Sequence, residues 1–395
     1  MSQSIYILVL FLTIGHCTQA GDSHKVTESK DTCFDDAAQV LRQQALREAR
    51  LALRKKPITV TTYKASRSAG GVHDFYSEGD YWWPNPEDLE GPYIRRDGLT
   101  NPDNFVEHRL AMIRFSEIIG ALASAYRLTG DSKYVRAAIP HLVAWFVNPA
   151  TRMNPSLCYA QAIKGRFTGR AVGIIDTIHL MEVAQGVLVM EASIDAAQLT
   201  AIKAWFKAYL DWLMTHPYGQ TEMNAQNNHG TCFVMQVAAF ATLTNDGERL
   251  SFCKERFKQI LLPNQMEVDG SFPREINRTK PYGYSLFNLD AMATICQILS
   301  TETDNLWEYV TPDGKSMRKG IDYLFPFISD KSKWPFSRDV MYWEDWPVAQ
   351  PFLLFGACVF NNQAWFTTWA ELDHRPKVAE VTRNLPIKNP LIWLN

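Results

Sequence analysis

Net charge is almost absent from this chain of 395 residues: 40 Lys and Arg against 42 Asp and Glu leave a formal charge of -2. No bulk field recruits nucleic acid, and an acidic ligand would have to be drawn by a local basic cleft. Paired cysteines are missing too. Cys33, Cys158, Cys232, Cys253, Cys296 and Cys358 are widely spaced, with no C-x-x-C among them. That spacing argues against a zinc or iron-sulfur centre, and no metal or cofactor is expected. Cys232 and Cys296 sit in apolar helical stretches and read as buried free thiols, while one disulfide is compatible with export. The apolar run at residues 5–14 is too short to span a membrane. Followed by Thr18-Gln19-Ala20, it reads instead as a secretory signal over residues 1–20, although Lys and Arg are lacking ahead of it. The mature chain would begin near Gly21 and act in the periplasm or outside the cell. His16 fits a lipidation signal at Cys17 poorly.

What the chain does have is apolar residues, 46% of the total, enough for a large core in one big domain or two ordinary ones. Their spacing at i, i+3, i+4 and i+7 predicts helices near 34–55, 106–128, 132–148, 170–191, 196–215, 230–244, 247–262, 284–300, 315–328, 348–360 and 362–372. Short turns such as Thr129-Gly130-Asp131 and Asn245-Asp246-Gly247 make consecutive helices antiparallel neighbours. Helical hairpins without a fixed repeat period suit an (α/α) toroid or a plain bundle; long irregular connections favour the toroid.

Three such connections are rich in aromatics and cations. Residues 70–104 hold His73, Tyr81, Trp82, Trp83, Arg95 and Arg96; residues 148–170 hold Tyr159, Gln161, Lys164 and Arg166; residues 331–347 hold Trp334, Arg338, Tyr342 and Trp343. Aromatic faces stack on sugar C–H surfaces and Arg grips carboxylates bidentately, so these loops fit an acidic polysaccharide, or simply pack over the rim. Tyr81, Trp82, Tyr159, Gln161, Arg166, Tyr282 and Trp343 are the candidate substrate contacts.

The chemistry-bearing runs are Gln226-Asn227-Asn228-His229-Gly230 and Glu275-Ile276-Asn277-Arg278-Thr279-Lys280-Pro281-Tyr282-Gly283-Tyr284. Breaking a uronate chain by β-elimination removes the C5 proton, which is hard while the adjacent carboxylate carries charge. Donors aimed at that carboxylate stabilise the enolate-like intermediate, and Asn228, His229 and Arg278 are suited to this. Tyr284 is the candidate base and acid, with Arg278 favouring its phenolate. Glu275 and Asp269 could orient Arg278 through ion pairs. His73, His108, His141 and His179 read as structural.

The segments NAQNNHGTCFVMQVAAFATLTND and DGSFPREINRTKPYGYSLFNLDAM resemble the Asn-His and Arg-Tyr motifs of alginate lyases in polysaccharide lyase families 5 and 38. SEGDYWWPNPE and YAQAIKGRFTGRAVGIIDT extend the likeness over about residues 70–369, closer to family 38. The resemblance implies an all-α, incomplete (α/α) toroid over residues 21–395 with a lid-like loop at about 70–104, and matches Asn228, His229, Arg278 and Tyr284 to the catalytic set. Arg and Tyr stand one residue closer here than in the family 5 pattern, which keeps Tyr282 as a second candidate for the tyrosine. A single tyrosine acting as both base and acid favours mannuronate-rich alginate or glucuronan over guluronate, in which the C5 proton lies opposite O4. Two rivals are open at this point: a toroidal glycoside hydrolase using Glu78 with Asp80 or Glu344 with Asp345 as paired carboxylates, and a polyuronate-binding protein without activity.

Overall fold

The structure, a computed structural model, describes Met1 and residues 22–394, with side chains from Thr32 onward. The expected signal at residues 1–20 and the alternative at Cys17 thus lie outside the described residues, apart from Met1. Fifteen α-helices are assigned in chain order among the described residues. They are α1 Asp22–Ala52, α2 Glu107–Thr129, α3 Lys133–Phe146, α4 Leu180–Met190, α5 Ala196–Thr215, α6 Pro217–Met223, α7 Asn228–Thr244 and α8 Gly247–Arg256. After these come α9 Leu262–Gln265, α10 Pro273–Ile276, α11 Pro281–Leu299, α12 Met317–Ser329, α13 Pro351–Phe360, α14 Gln363–Glu371 and α15 Ala379–Arg383. Four short strands are also assigned among the described residues: β1 Tyr76–Glu78, β2 Trp82–Trp83, β3 Ile94–Arg95 and β4 Tyr159–Ala162.

The helices form an (α/α) toroid. α4, α7 and α11 are apolar nearly all round, as helices enclosed by neighbours must be. Each packs on the next in the series α2, α4, α7, α11, α13, and the amphipathic α3, α5, α12 and α14 lie outside them. α1 packs on α2 and reaches α13, where Cys33 and Cys358 form a disulfide with Cα atoms 5.6 Å apart. It joins the two ends of the incomplete ring across 325 residues of chain. Cys232, Cys253 and Cys296 are free and buried. No single helix among the described residues is long and apolar enough to cross a membrane.

Two predicted helices are interrupted, each for a local reason. The one expected over 170–191 opens as a 3-10 turn, Ala171–Thr177. There Gly173 is pressed against Ala160 of β4, and the Thr177 hydroxyl donates to Ile174 O at 2.9 Å. The one expected over 247–262 passes into a π-turn at Phe257–Leu261, just ahead of Pro263, which has no N–H to donate. α6 was not expected from the periodicity. Pro217 opens it and the His216 ring caps it, accepting from Tyr218 N at 3.1 Å.

The 70–104 segment is fastened to the toroid rather than loose. β1 runs parallel to β4, and β2 pairs antiparallel with β3. Glu78 accepts from Arg67 Nε at 2.6 Å, the Tyr76 hydroxyl at 2.8 Å and Phe105 N at 2.9 Å. Asp80 is held by Arg109 at 2.6 Å and by Arg383 of α15 at 2.7 Å.

Candidate active site

The N-terminal ends of the neighbouring helices α7 and α11 carry the two polar runs. At α7, Asn227 is the N-cap and Asn228 and His229 are the first two helical residues. Gly230 is required by closeness: a Cβ there would stand 2.1 Å from Ala225 O in the preceding turn. His229 is partly exposed, and its Nδ1 lies 2.5 Å from the buried Glu222 Oε1 of α6. That contact holds the ring, with Nδ1 donating to the carboxylate, which can only accept. Glu222 went unrecognised in the sequence because α6 is only seven residues long, too short for periodicity to register. Replacing Glu222 with Gln is expected to slow turnover about ten- to hundredfold, the worth of one charge-assisted hydrogen bond; steady-state kinetics at constant substrate would show it.

Glu275 of α10 knits the two runs together. It accepts from Asn228 N and Nδ2, both at 2.7 Å, while the same carboxyl feels the charges of Arg278 and His229. Burial pushes its pKa up, and the Asn228 hydrogen bonds work against that. The Asn228 amide carries a second hydrogen besides the one given to Glu275. The expected orienting role of Glu275 and Asp269 toward Arg278 is corrected: Glu275 holds Asn228, and Asp269 accepts from Ser271 N at 2.9 Å. Arg278 instead meets Asp97 of the 70–104 segment at 3.4 Å. Asp97 also accepts from Thr279 Oγ1 at 3.1 Å; Arg278 and Arg95 hold its carboxyl below the ordinary range although burial opposes them. Gly98 beside it has φ +77, and a Cβ would stand 2.5 Å from Thr279 Oγ1, so this close approach needs glycine.

α11 begins at Pro281, with Asp339 accepting from Tyr282 N and Gly283 N at 2.9 Å each. Two residues along a helix turn the side chain by about 200°, so Tyr282 and Tyr284 face different ways. Tyr284 faces the 70–104 segment, with the Arg278 guanidinium carbon 4.9 Å from its ring centre and the Tyr81 hydroxyl 2.6 Å from its own. Burial pushes the Tyr284 pKa up, and the pull of Tyr81 and Arg278 toward phenolate offsets this only in part. The expected phenolate-favouring effect of Arg278 is therefore right in sign and outweighed in size. Tyr282, the second candidate, is a correction: it is fully buried against Trp334 and Trp343, and its hydroxyl donates to Phe327 O at 3.1 Å.

The other expected contacts divide. Tyr81 reaches Tyr284 directly. Trp82 is half-buried with Arg166 and Arg170 stacked over it, and Arg166 donates to Tyr93 O at 2.8 Å. Tyr159 is half-buried, its ring packed over Gly70. Gln161 is buried, donating to Asp176 and accepting from Arg170. Trp343 is half-buried on Tyr282, with Lys331 and Arg338 over its ring. Of the two carboxylate pairs open to a hydrolase, Glu78 and Asp80 are both neutralised by arginines, and Glu344 of the other pair is exposed with Lys331 3.8 Å away. Among the described residues no group of His, Cys, Asp and Glu is gathered as a metal site would be.

The sequence pattern of the family described as Alginate lyase matches residues 59–334. The chain belongs to the alginate lyase family. It is accordingly a polysaccharide lyase. No curated protein matches it. Among solved structures it is similar to an alginate lyase from Bacteroides ovatus, with 29% identity, 94% of this chain and 97% of that one covered, and a TM-score of 0.78. Alginate lyase A1-III from Sphingomonas species A1 shares the fold at 13% identity, with 81% and 87% covered and a TM-score of 0.52. An A1-III variant complexed with a tetrasaccharide aligns at 14% identity over 88% and 90%, with a TM-score of 0.54.

Proposed function

We propose that this lyase cleaves a 1,4-linked polyuronate, mannuronate-rich alginate or glucuronan, by β-elimination at the ends of α7 and α11. Asn228, His229 and Arg278 take the uronate carboxylate, and Tyr284 moves the proton. The observation that carries the reading is the set of contacts at the starts of the neighbouring helices α7 and α11: Glu275 binds Asn228 and feels the charges of Arg278 and His229, Arg278 lies over the Tyr284 ring, and the fastened 70–104 segment brings Tyr81 to Tyr284. The structural neighbours named for alginate, and the tetrasaccharide bound by one of them, point to the same class of substrate.

In the proposed step, Tyr284 as phenolate takes the C5 proton. The electron pair left at C5 forms the C4–C5 double bond, the C4–O4 bond breaks, and Tyr284 returns the proton to O4. Arg278 would exchange its Asp97 contact for the substrate carboxylate. In a β-D-mannuronate the C5 proton and O4 share one face, so a single tyrosine serves both. The expected location is the periplasm or the exterior, as the N-terminal pattern suggests. The test is to digest polymannuronate while counting new reducing ends and 4,5-unsaturated ends in one reaction. Equal numbers are expected; reducing ends without unsaturation would refute elimination.

A further inference from the structure

Burial raises the Tyr284 pKa, yet the reaction needs that oxygen to accept a proton, so something must favour its phenolate. The surroundings supply a donor chain that begins on α15, beyond the family-matched residues. Glu380 binds Lys280 Nζ at 2.8 Å, and both side chains are only 4% exposed. Lys280 Nζ also donates to the Tyr81 hydroxyl at 3.3 Å and lies 4.8 Å from the Tyr342 ring centre. Its three protons are thereby directed at Glu380, the Tyr81 oxygen and an aromatic face. An ammonium can only donate, so the Tyr81 oxygen accepts from it and the Tyr81 proton is free to point at Tyr284, 2.6 Å away. Tyr284 then stands as the acceptor of that bond, the arrangement that stabilises a phenolate. Arg383, also on α15, grips both Glu380 at 3.6 Å and Asp80 at 2.7 Å, and Asp80 is the residue next to Tyr81.

We propose that Lys280, anchored by Glu380 of the C-terminal helix, is a positioning residue that turns the Tyr81 hydroxyl toward Tyr284 and so equips Tyr284 to act as the base. This rests on Tyr284 being the base. The charged and titratable groups facing the phenol pair are Arg278 and Lys280 beside the start of α11, Asp97 on the lid, and Glu380 and Arg383 on α15. Arg278, Lys280 and Arg383 favour phenolate while Asp97 and Glu380 oppose it. Lys280 is the cation that touches the hydroxyl of the pair.

The test compares wild type, Tyr81→Phe, Lys280→Met, Lys280→Arg and the Tyr81→Phe/Lys280→Met double variant on polymannuronate, following unsaturated ends across pH. Tyr81→Phe and Lys280→Met are each expected to lower kcat about tenfold at neutral pH, with KM changed less than about threefold, and to move the acidic limb of the kcat profile upward by about one pH unit. The double variant is expected to lose no more than either single one, because the two act as a unit. Lys280→Arg is expected to keep the wild-type limb. Unchanged kcat and limb in Lys280→Met, or multiplicative losses in the double variant, would overturn the proposal. Should Lys280→Met fail to fold, Tyr81→Phe decides alone, since it removes one hydroxyl and no packing: an unshifted limb overturns the proposal. Tyr284→Phe run alongside separates the two readings. Full activity there would remove the base assignment itself, whereas an inactive Tyr284→Phe with an unshifted Lys280→Met removes only the role of Lys280.

Discussion

Tyr284→Phe is expected to lower turnover of polymannuronate about a thousandfold or more while leaving binding of the polymer nearly unchanged. The magnitude follows from asking one phenol to serve as both base and acid, each role being worth about 10²–10⁴-fold. The substitution deletes one oxygen at a site that Tyr81, Arg278 and the lid enclose, and the ring continues to pack. Calorimetric titration with polymannuronate separates the two quantities. Retained turnover would sink the assignment, and loss of binding together with turnover would show that Tyr284 serves recognition instead.

The second large effect is on stability. Arg109→Met is expected to destabilise the fold by about 3–5 kcal/mol, because it strips a charge from a buried set and leaves its partners uncompensated. Arg109 lies 2.6 Å from Asp80 and 3.3 Å from Asp176, and Arg383 holds the same two carboxylates at 2.7 and 3.7 Å. With Glu380 and Lys280 the set contains three cations and three anions. Burial alone would raise the Asp80 pKa, yet Arg109 and Arg383 hold it down to about 2. A carboxyl whose folded pKa lies below its unfolded value of about 3.9 contributes stability that is present above that pH and is lost as pH falls toward 2. Without Arg109 the Asp80 pKa climbs, so acid unfolding is expected to begin at higher pH as well. Denaturant midpoints measured against pH check both; an unchanged midpoint at neutral pH would show that Arg383 alone suffices.

The sequence disclosed the helices best where they are long and bury an apolar face. α5 agrees residue for residue with its predicted span, and α2 and α7 agree to within two. Elements shaped by contacts between distant segments were not legible. Glu222 sits on a seven-residue helix with no periodicity to read, and α15 depends on Arg383 finding Asp80, some three hundred positions earlier. The runs around Asn228 and Arg278 were visible because their polar side chains interrupt strongly apolar neighbours. Which carboxylate meets which donor was not: Glu275 turned to Asn228, and Arg278 found Asp97 across the lid. Tyr282 and Tyr284 differ in sequence only by spacing, and the helix sends one into the core and the other to the site.

A single tyrosine working on one face of the sugar makes a sharp demand on substrate configuration, since in guluronate the C5 proton lies opposite O4. The most direct measurement is the initial rate of unsaturated-end formation by the wild-type enzyme on polymannuronate and on polyguluronate at equal uronate concentration. Polymannuronate is expected to be cleaved faster by a wide margin. Equal rates, or faster cleavage of polyguluronate, would contradict a one-residue base and acid at Tyr284.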